Sequence, residues 1–451
     1  MRKKLSMTHD IKKEVKHKFF HFAVPSVLAM WVYTIYTMVD GMFVSRGVST
    51  TALAAVNIAM PLINTAFALG ILFAVGASTR ASYYKGQGNY KRASEVFTTS
   101  TVTVFVLAWI VVLLAIPNLD KLAHILGANG ETEPYVMDYL HIIILFIPCY
   151  MTSYNMEVLI KADGYPQKAI KTTMAGAFTN IFLDYVFVIL FKWGVGGAAI
   201  ATGLSQLMTF SIFFMHFLRN KKGFRFVKIK WHPKEVLGFA KLGVADAVTE
   251  FSVGAIIFMF NNTLIAISGN DGVVIYTVIA YVSQLILMTM MGINQGMQPL
   301  VSFYHGKGEP ETHRYILHIA LFTAGIASIV SFLLGVLYPD PVVGFFIDKH
   351  LEMELFLEGV AAFKLFSFSF LPLGVVIILC GYFTALEYPK FAMSISIGRG
   401  LVFVMIALFT MAYLFGETGV WLSMTVSETM AFVMAVFFYI KTFKKKSEKI
   451  S

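Results

Sequence analysis

Thr179-Asn180-Ile181-Phe182-Leu183-Asp184-Tyr185 lies inside an apolar run from Ala169 to Phe191 that is long enough to cross a bilayer. On a helix, Asn180 and Asp184 are one turn apart and share a face. A carboxylate in hydrocarbon costs about 2.5–3.5 kcal/mol on insertion scales, so the few found there tend to mark ion or substrate pathways. A lone Asp can also be satisfied by a structural partner or reach out at a helix end. A second one, Asp40, falls in the first long apolar run. Two such carboxylates in one half of the chain favour function.

Composition places the stretch in context. Of 451 residues, 57% are hydrophobic and 14% charged, and the mean hydropathy is +0.71. Soluble domains carry about 25% charged residues, so this is an integral membrane protein with room for twelve spans. Cys149 and Cys380 fall in different apolar runs and form neither a disulfide framework nor a zinc site. The net charge of +10 raises the question of nucleic acid, and its distribution answers it. Basic residues gather in alternate connections, at 2–18, 85–92, 161–171, 219–234, 307–314, 390 and 441–449. The intervening connections carry only Arg46, Lys121, Lys192 and Lys349. That asymmetry is the positive-inside pattern. It predicts a multi-pass protein of the plasma (inner) membrane with both termini cytoplasmic. Lipid surrounds it, and nucleic acid is not a partner. No cleavable signal peptide is evident.

The predicted spans are 19–44, 53–80, 93–116, 135–160, 169–191, 195–218, 237–267, 273–301, 314–338, 355–385, 391–414 and 418–440. All are expected to be helices, with 118–134 an outer loop of no assigned function. The halves are related. Ser82-Tyr83-Tyr84-Lys85-Gly86-Gln87-Gly88 returns as Ser302-Phe303-Tyr304-His305-Gly306-Lys307-Gly308, displaced by 220. Tyr165-Pro166 returns as Tyr388-Pro389, displaced by 223, and Gly194, Gly197 and Ser205 return as Gly416, Gly419 and Ser427, displaced by 222. Six crossings per half make the repeat parallel, with a pseudo-twofold axis along the membrane normal, as in secondary transporters. The expected organisation is one six-helix bundle over 1–218, a cytoplasmic linker over 219–236 and a second bundle over 237–451.

Val39-Asp40-Gly41-Met42-Phe43-Val44 with Ala52-Leu53-Ala54-Ala55-Val56 to Pro61 resembles the first two spans of multidrug and toxic compound extrusion (MATE) transporters. Asp163-Gly164-Tyr165-Pro166-Gln167-Lys168, Asn180 to Asp184 and Gly194 to Thr202 resemble their fourth to sixth spans. The pairing of a first-span acid with Asn-x-x-x-Asp is similar to the DinF-like branch. The resemblance implies an all-α membrane fold of two six-helix bundles and export of organic compounds or drugs by alternating access, driven by proton or sodium return. It also implies a cation site at Asp40, Asn180, Asp184 and Thr202, which would ligate Na+ if sodium is the coupling ion. No other cofactor is implied. Small organic molecules are the expected substrates, and the chain is expected to work as a monomer.

The residues support the grouping in their own right. Asp40 comes late in the first span, Asp184 past the middle of the fifth and Thr202 early in the returning sixth, so all three share one depth. Two carboxylates, an amide and a hydroxyl offer oxygen ligands to sodium or a hydrogen-bond network to a proton. Thr202 can equally bond its own helix backbone. Tyr36, one turn before Asp40, is a candidate for the substrate path, and Pro25 for a kink in the first span.

Some residues leave alternatives open. The branch carries an Asn late in the fourth span, where this chain offers Asn155 and Glu157. Glu157 is a candidate for that place, or a partner for Lys161 one turn on. Lys364 and Arg399 fit no part of the resemblance. They are structural partners of Glu250 or Glu428, or members of a charged substrate site. A flippase for lipid-linked oligosaccharide or cell-wall precursors, in the same superfamily, is the alternative function. It would want basic residues for pyrophosphate, whereas the first half holds acids, which favour cationic substrates. An intramembrane enzyme is not expected: there is no His-Glu-x-x-His and no phosphate-cradling Gly-x-x-x-x-Gly-Lys-Ser/Thr.

Overall fold

Hydrocarbon offers a backbone no water to bond, so each membrane-length apolar run must close its own hydrogen bonds as a helix. The computed structural model describes residues 8–220, 222–229, 231–349 and 352–448, with no strand among them. Arg2, Lys3, Lys4, Lys221, Lys230 and Lys449 of the basic clusters lie outside the described residues.

The first bundle comprises α1 (His9–Gly47), α2 (Thr50–Gly86), α3 (Tyr90–Ala115), α4 (Glu133–Ala162), α5 (Pro166–Asp184) and α6 (Gly194–Arg219). A π-turn over Tyr185–Leu190 extends α5. In the second bundle, one helix of 74 residues, Pro233–Gly306, crosses twice. It breaks at Gly269 (φ 66°, ψ −148°) into α7 (233–268) and α8 (270–306). Next come α9 (Pro310–Leu337) and α10, whose halves Met353–Phe366 and Phe370–Ala385 meet at a 41° bend. Pro389–Ile397 opens α11, which passes through a π-turn over Gly398–Val402 to residue 415. Gly416 (φ 60°, ψ −138°) then separates it from α12 (417–448). Both breaks fall in the gaps expected between spans, where only a residue without Cβ adopts these angles cheaply. The result is twelve crossings in two six-helix bundles. The connection 118–134, expected as a loop, contains the short helix Leu119–Ile125, and its counterpart Pro339–Gly344 stands 220 residues on.

Lipid tails are as apolar as Leu, so close packing, not water exclusion, holds these helices together. Small residues do much of that work: Ala52, Ala55, Ala59, Ala66, Ala74, Ala77 and Ala81 are all buried along α2. Between the bundles, on the side where the linker lies, the approach is closest. A Cβ at Gly86 would overlap the carbonyl of Phe303, and one at Gly306 would overlap that of Tyr83. These are the repeat-related glycines of α2 and α8, crossing about the pseudo-twofold axis. Nearby, Arg80 of α2 pairs with Glu387, before α11, at 3.0 Å. Glu387 stands where the first half has Gly164 and holds a left-handed φ of 60°. A half-exposed pair of this kind contributes less than about 1 kcal/mol, so the glycine seam dominates closure on this side. Gly86→Val should wedge it apart. Spin labels at Lys91 and Glu311, both exposed near that seam, would then report a longer distance than in the parent; an unchanged distance would remove the seam from the closing contacts.

The linker is clasped to the first bundle. Asp163, buried after α4, accepts from the Phe224 amide at 3.0 Å and from Asn220 Nδ2 at 2.7 Å. Lys85 Nζ donates to the Asp163 carbonyl at 2.6 Å.

Candidate functional site

The π-turn after Asp184 sets the geometry of the candidate site. A π-turn shifts the register of a helix by one residue and is frequent at functional positions; here it follows directly on the carboxylate. Asp40, Asn180 and Asp184 are all buried, and the last two have no exposed surface. Asp40 of α1 and Asp184 of α5 are close enough for each charge to act on the other. Asn180 Nδ2 donates to Thr202 Oγ1 at 3.3 Å. Asn180 and Thr202 thus join α5 to α6, and Asp184 stands one turn further along α5.

Their valences are conspicuously unused. Asp40 Oδ1, both carboxylate oxygens of Asp184 and Asn180 Oδ1 are buried with no hydrogen-bond donor among the described residues. Two buried carboxylates within reach of each other repel when both are charged. A proton or a metal cation taken up by the oxygens relieves that repulsion. An all-oxygen set with no His or Cys suits a proton or a hard cation. No group of three His, Cys, Asp or Glu side chains occurs among the described residues, so a transition-metal centre has no support.

Asp40 and Thr202 form part of the wall of a chamber in the first bundle, with Asn64 and Tyr139. Tyr33, Tyr36, Tyr150 and Gln206 line both this chamber and a central cavity between the bundles. The candidate cation site and the cavity thus share a wall, and Tyr36 stands in it as expected. An aromatic box surrounds Phe67. Tyr33 stacks on it at 6.3 Å, Tyr154 meets it edge-on at 4.6 Å, and Tyr33 and Tyr150 join their hydroxyls at 3.0 Å. Acids complete the cavity. Glu250 has no ion-pair or hydrogen-bond partner among the described residues, and Asp246 accepts only from Gln298 Nε2 at 3.2 Å. The aromatic box escaped sequence reading because a Tyr or Phe at helical spacing looks the same whether it packs or lines a cavity.

Asn155 and Glu157 take different places. Asn155 is fully buried between helices, accepting from Ser100 Oγ at 2.8 Å and donating to Thr101 Oγ1 at 3.1 Å. It ties α3 to α4, away from the carboxylate pair. Glu157 pairs with Lys161 at 2.7 Å, and Lys161 Nζ also donates to Gln295 Oε1 of the second bundle at 3.0 Å. Glu157 nonetheless lines the central cavity. Arg399 pairs with Glu428 at 2.7 Å, and Lys364 is exposed on the outside of α10. Neither meets Glu250. Pro25 is buried within α1, whose helix runs through it without a break.

A bilayer-spanning two-bundle protein with buried, unpaired acids around a central cavity has the architecture of a secondary transporter. The chain belongs to the MatE family, whose model matches twice, over residues 25–186 and 247–410, in step with the internal repeat. It is thus a membrane transporter and not an enzyme. It is 26% identical to the multidrug export protein MepA of Staphylococcus aureus (strain bovine RF122 / ET3-1) over 429 residues, covering 94% of this chain and 93% of that one. Against the protein of the same name from Staphylococcus saprophyticus the identity is 25%, with the same coverage. Among solved structures, it is similar to a multidrug resistance MATE family transporter of the MOP superfamily in an outward-facing conformation. The TM-score is 0.89 at 20% identity, over 96% of this chain and 97% of that one. A MOP superfamily transporter from Pyrococcus furiosus, described as having a binding pocket of reverse polarity, matches with TM-score 0.87 at 19% identity, over 94% and 95% of the two chains.

Proposed function

We propose that this transporter exports organic cations in exchange for protons or sodium ions entering through Asp40, Asn180, Asp184 and Thr202. The observation that carries the reading is the buried carboxylate pair without donors, separated by one shared aromatic wall from an acidic cavity. A coupling ion that fills the pair removes its repulsion, and a substrate cation in the cavity is drawn to Glu250 and Asp246. Both sites border Tyr36, so occupancy of one can bias the shape of the other. An equilibrium between two bundle arrangements shifts only through different affinity for the two states. The acidic cavity speaks against a pyrophosphate-bearing flippase substrate. The multidrug export activity named for the Staphylococcus relatives accords with an aromatic box that reads shape loosely.

In this reading the rigid bodies are 1–218 and 237–451, hinged through 219–236, and Pro25 loosens α1 where it packs between them. The chain works as a monomer in the plasma (inner) membrane, with both termini and the linker cytoplasmic. Transport by proteoliposomes, with proton and sodium gradients imposed separately, is the test. Uphill substrate movement that survives collapse of both gradients would overturn the coupling.

Two further outcomes are expected. A cysteine at Lys228 should resist impermeant thiol reagents in intact cells; ready labelling from outside would reverse the orientation. Tyr36→Ala should weaken apparent substrate affinity by about tenfold, the 1.4 kcal/mol of an aromatic contact, while leaving the ion dependence in place. Unchanged affinity for every transported compound would return Tyr36 to packing.

A further inference from the structure

The second bundle contains a chamber that the coupling site does not use. It is the repeat-related counterpart of the first-bundle chamber. Ile256 and Gln284 stand 220 residues after Tyr36 and Asn64, and Met424 and Glu428 stand 222 after Thr202 and Gln206. Its chemistry has diverged. Met424 replaces the Thr202 hydroxyl, and Phe260, 220 residues after Asp40, replaces that carboxylate. In their place the wall carries Arg399 and Glu428.

The pair is buried and incompletely bonded. Arg399, held in the π-turn of α11, donates from Nε to Glu428 Oε1 at 2.7 Å, and this is its one hydrogen bond among the described residues. Glu428, 1% exposed, leaves Oε2 without a partner, and Ser283 Oγ on the same wall is also unpaired. A guanidinium and a carboxylate paired for structure frequently meet as a two-bonded fork, which this pair does not form. Unused buried valences cost roughly 1–3 kcal/mol each. The rest of the wall is mostly apolar, including Val253, Ile257 and Leu373, with the phenol of Tyr276 among it.

We propose that this chamber is a second small-molecule site, taking an amphipathic zwitterion. A lone anion drawn to Arg399 meets Glu428, and a lone cation drawn to Glu428 meets Arg399. A molecule with both charges gives its carboxylate to the free Nη donors and its ammonium to Oε2, while its apolar body lies on the aliphatic wall. The site is independent of the coupling reading, because binding at equilibrium requires no gradient.

Fluorescence titration of the purified full chain in nanodiscs tests this with three probes. Nε-dansyl-lysine carries both charges, dansylcadaverine is the same molecule without the carboxylate, and ε-dansylaminohexanoate lacks the ammonium. The zwitterion should bind at least about tenfold more tightly than either analogue. That preference should vanish in Arg399→Met/Glu428→Gln, which removes both charges together and strands neither. Ser283→Phe fills the chamber with the ion pair intact, and it decides the matter if the double variant does not fold. Equal binding of the three probes by the parent, or a preference that survives in a folded variant, would overturn the site and leave the pair as structure alone.

Discussion

Asp40→Asn and Asp184→Asn are each expected to abolish gradient-driven export while leaving a folded, membrane-inserted protein. The amide copies the carboxylate's shape, so packing around these two buried side chains survives. It also removes the mutual repulsion of the pair, so either variant should be at least as heat-stable in detergent as the parent. What is lost is the ability to take up and release a proton, or to lend charge to a sodium ion. A ligand with equal affinity for both arrangements shifts nothing, and the neutralised site has little left with which to discriminate. Efflux down the substrate's own gradient should persist, so the assay must follow uphill accumulation in inverted vesicles. Parental uphill rates in either folded variant would remove that residue from coupling and turn attention to Glu157, Glu250 and Glu428. Poor expression or aggregation of both would instead point to structural carboxylates.

Glu250→Gln should weaken binding of a permanently charged organic cation by about tenfold and leave a neutral compound of similar shape unaffected. The carboxylate faces the central cavity without an ion-pair partner among the described residues. Its attraction for a cation at about 4 Å approaches 4 kcal/mol at an effective dielectric of 20. Water in the cavity and the neighbouring Asp246 reduce the share lost on neutralisation to roughly 1–2 kcal/mol, or about a factor of ten. Charge reversal, Glu250→Lys, should exclude the cation altogether. Equilibrium binding to the purified protein, comparing charged and neutral members of one compound series, separates this from any change in coupling. Equal losses for both members would mean that Glu250 shapes the cavity without contributing charge.

Much of this molecule is written locally in the chain. Hydrophobic length fixes the number of crossings, because hydrocarbon forces each apolar run to close its own hydrogen bonds. The breaks at Gly269 and Gly416 were legible as gaps in the apolar runs, and the repeat as residues returning after 220–223 positions. The buried acids were legible too, since a carboxylate inside an apolar run costs enough to be noticed without any fold. The meeting of Asp40, Asn180, Asp184 and Thr202 was an inference from depth and resemblance; the tertiary structure bonds Asn180 to Thr202.

Partners across helices are another matter. Glu157 and Lys161 are one turn apart, so their pair could be foreseen; the reach of Lys161 to Gln295 could not. Asn155 was a candidate because the branch carries an Asn late in its fourth span, but the rotation of α4 turns it toward Ser100 and Thr101 on α3. Four charged residues in the second half allowed several pairings, and the structure chose Arg399 with Glu428, left Glu250 facing the cavity and put Lys364 outside. The physical reason is that desolvation and helix periodicity act on each segment alone. Which face of a helix meets which neighbour is set by side-chain interdigitation among many helices, and that information belongs to no single stretch of the sequence.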